Sequence, residues 1–240
     1  MSAMDFLVTL DLATPLLPGT GALWWARRLS WGLVLGALLI TAWNRWGGRL
    51  LRQHGQLQPT RTLPQLLLLL LVSALCLLPG AWSPAYWLGL AFQMPSLMTL
   101  ALALHALNLA FDAPARNAWA YAFRQQSPGG LSNTLSGVAL VLSLLGWVLL
   151  LDVLAWWPVD LYALGFHGAT FMVLAAGLVL PWVLWGRHTH LAWRWVMAVM
   201  LVFALTRWPT GNVWSAVLDP LLWVWCQLWL LRRWVKSLRG

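Results

Sequence analysis

Residues 63–82 read LPQLLLLLLVSALCLLPGAW, twenty positions without one Asp, Glu, Lys or Arg. At 1.5 Å of rise per residue a helix of that length covers about 30 Å, the thickness of a bilayer's hydrocarbon core. Similar runs stand on both sides of it. Together they extend roughly over Ala22–Trp43, Leu63–Trp82, Ala85–Phe111, Leu131–Leu151, Leu161–Trp185, Leu191–Thr206 and Val213–Leu231. The chain is therefore expected to be an all-α, polytopic transmembrane bundle of about seven helices. The sixth run is short, which fits little tilt or a start inside the headgroup layer.

Composition agrees. Of 240 residues 61% are hydrophobic and only 9% charged, against about a quarter charged in an ordinary soluble domain. A water-soluble fold has no way to hide so much apolar surface, and no polar stretch is long enough to form a separate soluble domain. The formal charge of +9 comes from arginines and the single Lys236, set in short clusters between apolar runs. That spacing argues against nucleic acid and for anionic lipid headgroups as the counter-charge. Ile occurs once, at Ile40, while Leu, Ala, Trp, Gly and Pro abound, a usage typical of a high-GC bacterial genome.

Orientation follows from the loops. Arg45, Arg49, Arg52 and Arg61 fall in the segment 44–62, Arg116 and Arg124 in 112–130, Arg187 and Arg194 around 186–190, and Arg232, Arg233, Lys236 and Arg239 in the tail 232–240. These are twelve of the fifteen basic residues, all on one side. The other side holds Arg27, Arg28 and Arg207 with Asp5, Asp11, Asp152, Asp160 and Asp219. Basic loops stay in the cytoplasm, so the C-terminus is expected inside and the N-terminus outside a bacterial inner membrane. Arg27 and Arg28 lie just within the outer end of the first run and are expected to snorkel or to pair with the outer aspartates. The stretch 1–21 is apolar but interrupted by Asp11, Pro15 and Pro18. It reads as an interfacial or re-entrant segment in preference to an eighth span, and as uncleaved, because no basic region precedes a clean apolar core.

The 21 tryptophans cluster at the ends of the runs, as at Trp43 and Trp46, Trp82 and Trp87, Trp156 and Trp157, where aromatic belts belong. Trp147, Trp223 and Trp225 lie deeper and read as lipid-facing bulk or as packing against partner helices. Cys76 and Cys226 share no metal or redox spacing and are expected as two free buried thiols.

Polar residues inside spans are costly and therefore candidate sites. His105 and Asn108 are three apart, and Asp112 and Arg116 continue their face at steps of four. Beyond them Asp112 is expected to cap a surface helix carrying Trp119, Phe123 and Arg124, stopped by Ser127-Pro128-Gly129-Gly130. This face reads as a contact for an anionic headgroup or a partner subunit, or as plain helix-to-helix hydrogen bonding. Asp219 precedes Pro220 inside the seventh run. Pro220 is expected to kink that helix, and Asp219 to form a structural ion pair with Arg207 in preference to relaying protons. His105 and His167 fall at opposite depths and are not expected to share a haem iron. His188 and His190 read as solvated loop residues.

No Gly-x-Ser-x-Gly elbow, His-Glu-x-x-His helix or phosphate-cradling loop is present. Asn44-Arg45-Trp46-Gly47-Gly48-Arg49 and Asp112-Ala113-Pro114-Ala115-Arg116 resemble the cytoplasmic loop motifs of major facilitator transporters. The likeness covers only those two short segments, places Asn44 where that family has an acid, and sits in a chain of half the usual length. No residue role is carried over from it. The expected function is that of a non-enzymatic subunit of a larger envelope complex serving assembly, secretion or transport. A transporter or channel component for a lipid-like substrate is the alternative, and an intramembrane enzyme the third reading. Membrane lipids and other membrane subunits are the expected partners, with no nucleic acid, metal or cofactor.

Overall fold

The computed structural model describes residues 20–53, 62–111, 130–156, 160–185, 191–208 and 210–238, with side chains described outside 45–53, 130–136, 177–185 and 191–196. All regular structure among the described residues is helical. The elements are α1 (Thr20–Gln53), α2 (Thr62–Leu77), a 3-10 turn (Gly80–Trp82), α3 (Pro84–Phe92), α4 (Leu97–Phe111), α5 (Gly130–Val153), α6 (Leu161–Leu164), α7 (Gly168–Trp185), α8 (Leu191–Thr206), α9 (Val213–Val217) and α10 (Pro220–Ser237). One stretch among them, Thr20–Asn44, is long and apolar enough to cross a membrane; Thr62–Leu77, Leu97–Phe111, Gly137–Val153 and Met197–Thr206 are apolar but shorter.

The helices do not simply repeat the apolar runs. The sixth run and α8 share their bounds, and α5 exceeds the fourth run by a residue or two at each end. Four other runs are broken: the second between Leu77 and Gly80, the third between Phe92 and Leu97, the fifth between Leu164 and Gly168, the seventh between Val217 and Pro220. Pro79 stands in the first of these breaks, and proline accounts for those of the third and seventh runs in the same way. Pro95 and Pro220 each lack an amide hydrogen and disfavour helical backbone at the residue before them, so a helix ends upstream and a new one starts at or just after the proline. The expected kink at Pro220 is thereby corrected: Pro220 is the first residue of α10, where its missing N–H costs nothing.

By contact the chain divides into two compact units, one of Thr20–Pro95 with Thr99–Ala139, the other containing Ser96–Met98 with Leu140–Gly240. In the first, α1 packs along α2. It buries Arg28, Trp31, Val34, Ala37 and Ile40, and Gly32 and Gly36, one turn apart, bring its backbone against α2. A Cβ on Gly32 would stand 3.0 Å from Ser73 Cα, and one on Gly36 2.4 Å from Leu69 Cδ1. Such small residues one turn apart are the usual device for close helix approach where water supplies no driving force. Further along the pair, Gln65 Nε2 donates to Asn44 Oδ1 at 2.7 Å. α2 ends where Pro79 and the left-handed Gly80 (φ 57) cannot continue it. Buried Ser83 then donates to Cys76 O at 2.7 Å and fixes the turn into α3. α3 stops at Gln93 (φ 58), whose carbonyl accepts from Trp31 Nε1 at 3.0 Å.

In the second unit α5 meets α10 at Gly146. A Cβ there would fall 2.2 Å from Cδ1 of Trp223, so the indole occupies the space the glycine leaves. In the last turn of α5, Asp152 accepts from the amides of Leu161 (2.9 Å) and Tyr162 (2.7 Å), and Asp160 caps α6 by accepting from Ala163 N at 2.9 Å. Asn212, fully buried, accepts from Trp214 N and donates to Tyr162 O, both at 2.9 Å. Val213 N donates to Gly165 O at 2.9 Å, so α6 and α9 are locked to each other by backbone and side-chain bonds together.

Candidate functional site

Asp219 is the best-built polar centre of the second unit. The residue is buried, and its two carboxylate oxygens accept separately, Oδ1 from Leu222 N and Oδ2 from Ser96 N, each at 2.7 Å. Leu222 N is one of the unpaired amides in the first turn of α10, and Ser96 immediately precedes α4. A carboxylate accepts such amides more strongly than a neutral group does, and the positive ends of helices favour its charge. The sequence Asp219-Pro220, an N-cap followed by proline at the first helical position, carried this signal.

The expected partner of Asp219 is elsewhere. Arg207 follows α8 in left-handed backbone (φ 51), with its guanidinium carbon 5.6 Å from the ring centres of both Phe171 and Phe203. Its N–H donates to Phe203 O and its carbonyl accepts from Gly211 N, both at 2.7 Å, so the residue closes the helix as a cap. The Arg207–Asp219 ion pair is corrected to an aromatic cradle for the arginine and a helix cap for the aspartate.

Arg28, likewise expected to meet an aspartate, donates through Nη1 to Leu77 O at 2.9 Å and to Leu78 O. It also lies 3.9 Å above the ring of Trp24. Leu77 ends α2 and Leu78 follows it, so these carbonyls have no amide of a further helical turn to bond, which is why a buried cation suits them. Arg27 crosses Gly89 of α3, its Cδ 3.2 Å from where a Cβ would stand.

His105 and Asn108 lie on α4, His105 half-buried and Asn108 exposed, while Ala103, Leu107 and Ala110 form the buried side of that helix. Asn108 thus faces away from the packed side. Asp112, Arg116, Trp119, Phe123 and Arg124, the rest of the expected face, lie outside the described residues, as do the loop histidines His188 and His190. His167 is exposed in the turn ahead of α7. Among the described residues no group of three or more His, Cys, Asp or Glu is placed to hold a metal ion. Both thiols are free and buried.

One centre escaped sequence reasoning. Trp223 Nε1 donates to Ser143 O at 3.1 Å, the Trp147 and Trp223 rings meet edge-to-face at 5.1 Å, and Gln227 lies against Ser143 Oγ at 2.8 Å. With its amide oxygen turned inward, Gln227 accepts from Ser143 Oγ and from the indole nitrogens of Trp147 (2.9 Å) and Trp223 (3.2 Å). Half-buried Trp223 is thereby drawn into a polar knot between α5 and α10, while Trp147, whose indole nitrogen reaches the knot, and Trp225 keep exposed rings. The signal of the knot was the pair Trp223 and Gln227, one turn apart.

No protein-family model matches the chain, and no match is found among the curated proteins or the solved structures.

Proposed function

We propose that this chain is a multi-pass protein of a bacterial inner membrane, with its basic loops and C-terminus in the cytoplasm, acting as a non-enzymatic subunit of a larger envelope complex. The observation that carries the reading is an inverted distribution of polarity. Arg28, Gln65, Ser83, Asn212 and Asp219 are buried, while Leu66, Leu67, Leu70, Leu71 and Leu75 of α2 alone are each more than 40% exposed. In water that arrangement exposes far more contiguous apolar surface than a soluble monomer tolerates. In lipid the arrangement is favourable, because the hydrocarbon solvates the leucines and the interior bonds Arg28, Ser83, Asn212 and Asp219 and the amide nitrogen of Gln65, leaving only Gln65 Oε1 without a partner. The helices of 15 to 18 residues reach about 22 to 27 Å and span a bilayer core together with the turns that continue them.

The subunit reading is favoured by how the polar groups are used. Asp219, Asp152, Asp160 and Asn212 are spent on backbone groups within the fold, which suits a scaffold better than a carrier that must exchange ligands. The face begun by His105 and Asn108 and continued through Asp112 and Arg116 is the contact we assign to a partner or an anionic headgroup. Purification from its source in mild detergent tests this. Fixed partners should accompany the wild-type chain and be depleted, with melting unchanged, by His105→Ala together with Arg116→Ala. A chain that elutes alone with only lipid contradicts the subunit reading.

A transporter remains the second reading, favoured by the interrupted third and seventh runs meeting at Asp219, since broken helices often line substrate sites. It expects a chain that purifies alone and an Asp219 variant that melts normally but no longer transports.

A further inference from the structure

We infer that the last turns of α10 bind the phosphate of an anionic phospholipid of the cytoplasmic leaflet through Arg232 and Lys236. The inference rests on the membrane reading above. Arg232 and Lys236 stand four apart on one helix, so they share a face one turn from each other, and both are exposed. Arg233 is placed differently. It is half-buried and lies over the ring of Trp229, 5.9 Å from its centre. That leaves Arg232 and Lys236 as the described bases of this helix most open to a ligand.

Beside the two bases runs an apolar line. Val224, Leu228 and Leu231 recur at steps of four and three, and each is more than 40% exposed. At 1.5 Å per residue they give about 10 Å of apolar track leading up to Arg232, which suits an acyl chain hanging from a headgroup held by the bases. Trp234, 62% exposed, lies between Arg232 and Lys236 in sequence, and an exposed tryptophan among basic residues marks the headgroup level. Two cations one turn apart repel each other, and a phosphate shared between them turns that repulsion into attraction. The fork of Arg232 matches two oxygens of a phosphodiester, and Lys236 adds a point charge. An acidic protein segment in the cytoplasm would meet the bases but not the apolar track, which lies at bilayer depth. A lipid meets both.

Native mass spectrometry of the detergent-purified full chain, titrated separately with dioleoyl phosphatidylglycerol, dioleoyl phosphatidylcholine and inorganic phosphate, tests the site. One phosphatidylglycerol should be retained at about ten-fold lower lipid concentration than phosphatidylcholine, with millimolar inorganic phosphate unable to displace it. Arg232→Gln and Lys236→Gln should each weaken that retention about five-fold, and together about thirty-fold, at an unchanged melting temperature. Arg232→Gln combined with Ser237→Arg restores the net charge but sets the new base about 140° round the helix, so retention should stay as weak as in Arg232→Gln alone. Recovered retention in that variant would reduce the site to net charge and overturn it. Equal retention by wild type and the double glutamine variant overturns it too, as does displacement by inorganic phosphate or the loss of a co-purifying protein in place of the lipid. A chain that stays in solution without detergent would remove the membrane reading itself, whereas unchanged lipid retention in a detergent-dependent chain removes only this inference.

Discussion

Asp219 and Arg207 are close in sequence and opposite in charge, yet each is satisfied by something other than its counterpart. That difference is measurable. Asp219→Asn keeps one acceptor but turns an amide group toward either Ser96 N or Leu222 N, so it should cost about 2 kcal/mol and lower the melting temperature in detergent by about 5 °C. Arg207→Gln loses its cation–π contacts and should cost about 1 kcal/mol. The decisive quantity is the double variant. Residues without shared partners add to within about 0.5 kcal/mol, whereas a buried ion pair strands a charge and gives a coupling of several kcal/mol. Additivity is expected from the helix-cap geometry, and strong coupling would restore the ion pair. The order Asp219-Pro220 is itself a cap signal, but within an apolar run it reads as a kink beside an ion pair, which is the expectation that the structure corrects. The second donor to Asp219, Ser96 N, was not legible, because nothing local links two residues 123 positions apart.

Among elements, hydropathy located every long helix of the described residues, since apolar runs and helices share the same residues, but it did not see the interruptions. Averaging over about twenty residues leaves Pro95, Gly165 and Pro220 outvoted by leucines and alanines, although each marks a change of backbone direction. Nor does hydropathy reveal which glycines are contact points. Gly36 and Gly146 look alike in sequence and differ in what they face. A methyl on Gly146 meets the rigid indole of Trp223 at 2.2 Å, while one on Gly36 meets the terminal Cδ1 of Leu69 at 2.4 Å, which can rotate away. Gly146→Ala should therefore destabilise by about 2 kcal/mol despite the gain in helix propensity. Gly36→Ala should stay within about 1 kcal/mol of wild type. Thermal melting of the two variants side by side checks this, and the reverse order would contradict the α5–α10 packing described above.

At the scale of the molecule, the account depends on which polarity the surroundings have. Leucines and tryptophans on the outside, with Arg28, Gln65 and Asp219 on the inside, are the distribution that the proposed membrane placement explains. Under that proposal the charge distribution gives the direction, with twelve basic residues assigned to one side and three to the other. Both ideas are joined in one experiment: a series of chains truncated and fused to a reporter that is active only in the cytoplasm. A fusion after Gly240 should be active and one after Trp82, at the turn between α2 and α3, silent, with both fractionating in the membrane. Activity after Trp82 with silence after Gly240 would reverse the orientation, and activity at both positions in the soluble fraction would contradict the membrane placement itself.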